Sequence, residues 1–145
     1  MLDLPALYQK SGHDCGQTAA RVVYRYHGLR KADPPKGSEL DGTHPAEMER
    51  AFRNAGLHVQ SGEMVPADLR HHTRLGRPVV CLVTEADGVG HWVVVGGLVR
   101  GRVRFHCRSE EHGDHGRRSL PRIHRADPRH DHEPDHGGDL ASDVQ

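Results

Sequence analysis

Cys15 is followed by Gly16 and then by apolar or small residues at helical spacing, Ala19, Val22, Val23 and Tyr26. It therefore falls in the first turn of a helix that Gly28 ends. A thiol attacks as its thiolate, and a helix N-terminus and an adjacent imidazolium are two ways of holding that charge. The stretch "SGHD" before the helix supplies Gly12 for a close backbone approach and Asp14 or His13 to cap the first turn. The histidine best placed to meet the thiol is His91, which opens the apolar run "HWVVV" directly after Gly90. Acyl transfer also needs a donor for the oxyanion that develops. Gln9, six residues before Cys15, carries an amide that could act with the Cys15 backbone N–H. Taken singly, each residue has a plainer reading: Cys15 a buried small hydrophobe, His91 a strand-end histidine, Gln9 a surface amide. Together they favour a nucleophile, a general base and an oxyanion donor.

The elements that must position these groups follow from periodicity. After the helix at 15–26, a proline-containing polar loop leads to a second helix beginning near Pro45, with Met48, Ala51, Phe52 and Ala55 on one face and Gly56 after it. A third helix runs from Pro66 to Leu75, before "GRP" breaks the pattern. Beyond Pro78 the pattern changes to strands: "VVCLV", then "HWVVVGGLV" after a loop, then "RVRF" after a turn at Arg100 and Gly101. Helices first and a small antiparallel sheet second predict an α+β layer architecture, with the cysteine on a helix and the histidine on the sheet.

These residues resemble a known family. "YQKSGHDCGQTAARVVYRYHG" looks like the first motif of the bacteriocin-processing, double-glycine leader peptidases, which are papain-like cysteine peptidases, and "GHWVVV" resembles their histidine strand. "DGTHPAEMERAFRNAGL" fits the family's intermediate helix and "RPVVCLV" its strand before the histidine, so the resemblance spans roughly residues 5–109. It implies a papain-like fold, hydrolysis of a peptide or amide bond through an acyl-enzyme, and roles for Gln9 in the oxyanion hole, Cys15 as nucleophile and His91 as general acid and base. It implies no cofactor and no metal. The family also has an Asp-Pro pair at the end of the next strand, whose Asp orients the imidazole. Here that strand reads "RVRFHCRSEE", with His106 and Cys107 near the expected Asp and Arg108 in place of the proline. His106, Ser109 and Glu110 are the candidate substitutes, and spacing leaves the choice among them open. The family's familiar members are fused to transporters, so a transporter partner stays open as well.

Composition limits the alternatives. Twenty Lys and Arg balance twenty Asp and Glu over 145 residues, with no basic stripe for a phosphate backbone, which argues against nucleic acid. Three cysteines at wide spacings, Cys15, Cys81 and Cys107, suggest thiols in a reducing compartment, with Cys81 assigned to the core. The N-terminal residues lack the charge and apolar pattern of a secretion signal, and the apolar runs are too short to span a bilayer. These features predict a cytoplasmic protein. Residues 110–145 hold nine acids, five arginines and six histidines among few large apolar side chains. This composition predicts a peptidase domain over residues 1–124 and a disordered, dispensable tail over 125–145. The tail's histidines lack a repeated two-ligand spacing, and adjacent His71 and His72 make a poor chelate. Trp92 is expected in the core or cleft wall. The expected function is a cysteine peptidase or amide hydrolase acting on a peptide or protein substrate, possible targets including Gly-Gly-type peptides. The alternatives are a degenerate peptidase-like domain that binds a peptide or protein partner without cleaving it, and a histidine-rich metal-binding protein.

Overall fold

The computed structural model describes residues 1–11, 13–84, 90–106 and 139–143, the last of these as backbone. Three helices and five strands are present among them. The first helix, α1 (Cys15–Tyr26), has the expected bounds, and Gly28 behind it takes φ +74°, which only glycine adopts without strain. The second, α2 (Pro45–Asn54), starts with Pro at N1, while the His44 ring accepts the Ala46 N–H at 3.3 Å in place of a hydroxyl cap. The third, α3 (Pro66–Arg74), has its entry fixed by the Asp68 carboxylate, which accepts the Val65 N–H at 2.9 Å.

Strands β1 (His58–Gly62), β2 (Val79–Thr84), β3 (Gly90–Val99), β4 (Arg102–His106) and β5 (Asp139–Asp143) form one sheet in the order β1-β5-β2-β3-β4. All four pairings are antiparallel. The β3–β4 turn is Arg100 and Gly101, both with positive φ (50° and 73°), the combination whose twist matches a right-handed hairpin.

The sheet separates two apolar layers. On one face α1 and α2 pack Val22, Val23, Tyr24, Met48 and Phe52 against Val80, Trp92 and Val94. On the other, Leu69 of α3 meets Val79, Cys81, Val93 and Val95. Alternate residues of β2 and β3 thus serve opposite layers, which is why both strands read as continuous apolar runs. Cys81 belongs to the second layer, in the core as expected.

Two strands depart from the sequence reading. β1 was hidden in polar "HVQSG", where only Val59 is buried. β5 lies inside the segment expected to be a tail, yet it pairs with β1 at five positions and with β2 at three. These five residues complete the sheet. Backbone pairing on both sides of β5 needs no periodic apolar face, so composition could not reveal it. Residues 125–138 and 144–145, with Cys107, Ser109 and Glu110, lie outside the described residues.

Candidate active site

Cys15 is the first residue of α1, and Asp14 occupies the N-cap position without a side-chain cap to the helix. The expectation that Asp14 caps the first turn is corrected here. Its carboxylate turns backward and accepts the N–H groups of Lys10 (3.0 Å) and Ser11 (3.1 Å), folding the preceding turn onto the helix start. His13 is exposed, and Gly12 lies outside the described residues. Gly16 has a packing reason of its own. A Cβ there would stand 2.4 Å from Thr43 Oγ1, 2.5 Å from Thr43 Cβ and 3.1 Å from Trp92 Cδ1. The Trp92 indole N–H donates to the Thr43 carbonyl at 2.9 Å, so the loop before α2, the start of β3 and the start of α1 close on one another at this glycine.

Gln9 and Cys15 line one pocket with Thr18, Trp92 and His106. Both Gln9 and Cys15 are only 8% exposed. The Gln9 amide donates to the Ser11 carbonyl, which ties it to the turn that Asp14 holds. Burying an amide of this kind is costly unless it is bonded, so a buried Gln9 at this place is a constructed feature of the pocket.

Burial pushes the Cys15 thiol above its ordinary pKa. The N–H groups of Trp92 and Gly16 pull it down, the Asp14 carboxylate pushes it up, and the N–H of Cys15 itself adds a smaller pull down. The expected lowering by the helix N-terminus is therefore overturned, because desolvation of the charged form outweighs the donors aimed at it. A shift in this direction favours the protonated thiol near neutral pH. Iodoacetamide labelling of Cys15 is accordingly expected to be slow at pH 7 and to accelerate as pH rises past the ordinary thiol value. Mass-mapped rates against pH check this, and a rate already at its plateau at pH 7 would contradict it.

His91 pairs with Val83 across β2 and β3, and these two continue the series Cys81–Val93 and Val79–Val95 that faces α3. Strand alternation thus turns its Cβ away from the Trp92 and Val94 side, on which Cys15 packs. The thiol nevertheless sits against the beginning of β3, since the N–H acting on it belongs to Trp92, the next residue.

The imidazole that does line the pocket is His106. It stands opposite Val94 on β4, on the face opposite to Phe105, which packs in the α3 layer. The sequence named His106 only as a possible orienter of His91; three positions of offset along β3 and the opposite face do not fit that role. Plain alternation counted from Trp92 through the hairpin would have put it on the α3 face, because the register shifts by one residue between Val95 and Gly97. Among the described residues no group of three or more His, Cys, Asp or Glu side chains is gathered in a way that could hold a metal ion. Nor is any helix there long and apolar enough to cross a membrane.

No protein-family model and no curated protein matches the sequence. Similarity is found among solved structures. The peptidase domain of Streptococcus ComA, a bi-functional ABC transporter involved in a quorum-sensing pathway, superposes with a TM-score of 0.56 at 21% identity, covering 68% of this chain and 74% of that one. A double-glycine motif protease from an AMS/PCAT transporter, solved in complex with its leader peptide, gives 0.57 at 18% identity, covering 75% and 76%. The helices on a small antiparallel sheet are thus the papain-like α+β fold of double-glycine peptidase domains.

Proposed function

We propose that this protein is a cysteine peptidase or amide hydrolase in which Cys15 attacks a peptide carbonyl and Gln9 helps bind the oxyanion. The observation that carries the reading is a buried thiol that meets the backbone N–H groups of Trp92, Gly16 and Cys15 in a pocket also lined by a buried amide, Gln9. Donors fixed in a dry pocket stabilise charge as it develops, without reorganising at the moment of reaction. A thiol that is neutral at rest must lose its proton during attack. His91, one residue from the Trp92 N–H, is the base of this reading, its ring swinging around the strand edge to the sulfur. The S–C bond forms, the thiol proton passes to the imidazole and on to the leaving amine, and water then cleaves the thioester.

The proposed substrate class is supported by the two structural neighbours, one of which holds a leader peptide and is named for a double-glycine motif. A peptide with Gly-Gly before the cleaved bond is the proposed substrate, and a transporter the proposed partner, in a reducing compartment such as the cytoplasm. Incubation with a leader-like Gly-Gly peptide, with products identified by mass, tests the proposal. Cleavage after the second glycine that is absent in Cys15→Ala supports it; an intact peptide refutes it.

A second reading has an observation in its favour. The raised thiol suits a peptidase-like domain that binds a peptide in the same cleft and does not cleave it. Measurable peptide affinity with no turnover at any pH would decide for that reading.

A further inference from the structure

The chain ahead of α1 is held at three places. The Leu2 N–H donates to the Gly96 carbonyl at 2.8 Å, on a stretch of β3 where a Cβ at residue 96 would stand 3.1 Å from Leu4 Cδ1. The Asp14 carboxylate holds Lys10 and Ser11. Between these points the Nε2 atom of His106 lies 3.2 Å from the Leu7 nitrogen and 3.1 Å from the Leu7 oxygen, across 99 residues of sequence. Gln9 sits two residues beyond this contact, in the pocket that His106 also walls.

The geometry at Leu7 leaves no protonation state of the ring without a bond. With its lone pair on Nε2, His106 accepts from the Leu7 N–H; with a hydrogen there, as the other tautomer or as imidazolium, it donates to the Leu7 carbonyl. The link changes direction as the ring titrates, and it persists. A residue mounted on the β3–β4 hairpin therefore fixes the distance between the sheet and the arm that carries Gln9.

We propose that His106 is a positioning residue for the oxyanion-binding Gln9, acting through the Leu7 backbone. The inference rests on the Cys15 and Gln9 reading above. It assigns His106 no proton transfer to substrate through Nε2, which is engaged with Leu7. Misplacing a catalytic group by about 1 Å costs on the order of 10²-fold in rate. In His106→Leu, which fills the space without a polar atom, kcat is thus expected to fall about 10²-fold with KM changed by less than ~3-fold. His106→Gln, which restores both a donor and an acceptor, is expected to recover kcat to within ~3-fold of wild type.

Hydrogen exchange of the amides at residues 7–11 supplies a readout independent of turnover. Exchange about 10-fold faster in His106→Leu and unchanged in His106→Gln is the expected result. Equal exchange in all three proteins would overturn the proposal. So would a His106→Gln variant as inactive as His106→Leu with the acidic limb of its pH profile removed, which would make His106 a proton-transfer group. A wild type without turnover on any Gly-Gly peptide ends the hydrolase reading and, with it, the catalytic purpose assigned to His106. The exchange data would still decide whether His106 clamps the arm.

Discussion

Removing residues 139–145 is expected to lower the melting temperature by about 10–20 °C, or to abolish cooperative unfolding. β5 lies between β1 and β2, pairing at five positions on one side and three on the other. Its loss strips backbone donors and acceptors from two strands at once and leaves β1 without a described neighbour in the sheet. Several ladder hydrogen bonds at a net ~0.5–1.5 kcal/mol each make the strand worth on the order of 3–6 kcal/mol. In a chain of this size each kcal/mol moves the midpoint by about 3–4 °C. Composition argues the opposite, a dispensable tail whose truncation after Ile123 leaves the melting temperature nearly unchanged. Differential scanning calorimetry of the deletion decides between them, with loss of residues 144–145 alone as the control. A midpoint within about 2 °C of the full chain would show that β5 contributes little to the folded state.

The second large effect concerns rate. In the proposed reaction Cys15→Ala removes the atom that would form the acyl bond, and it is expected to leave no measurable hydrolysis. Gln9→Ala is expected to lower kcat by about 10²–10³-fold, the usual consequence of deleting one oxyanion donor, with KM changed far less. The contrast is informative because Gln9 also bonds to Ser11 and is buried. If Gln9 only held the turn, Gln9→Ala would lower thermal stability and leave kcat of the folded fraction untouched. Steady-state kinetics on a Gly-Gly peptide, with thermal melts of the same preparations, separate the two roles.

The sequence made much of this site legible. The bounds of α1 could be read because its apolar stripe is regular and ends in a glycine with positive φ, which placed Cys15 at a helix N-terminus. The pairing of Gln9 with Cys15 in one pocket agrees with the six-residue spacing, although the backward-turned Asp14 that enforces it could not be read from a string. The thiol's direction of shift was not legible because a helix N-terminus is visible in sequence and burial of the thiol in the α1 layer is not. The strand face on which His91 lies was not legible for a related reason. An apolar run covered on both faces has no polar alternation to say which residues look toward α1. β1 escaped because only Val59 among its five residues is buried, and β5 because pairing along the backbone on both sides leaves no mark in composition.

The most direct test of Cys15 as a nucleophile assisted by Gln9 is capture of a peptide aldehyde ending in Gly-Gly, its aldehyde carbon isotope-labelled and followed by NMR. The thiol adds across the carbonyl, the proton moves to the new oxygen or to an imidazole, and the resulting hemithioacetal places an oxyanion-like oxygen among the donors around Cys15. The account predicts a stoichiometric hemithioacetal resonance in the wild type, weaker binding in Gln9→Ala and no such resonance in Cys15→Ala. No hemithioacetal in the wild type at saturating aldehyde, or one that survives Cys15→Ala, would contradict it.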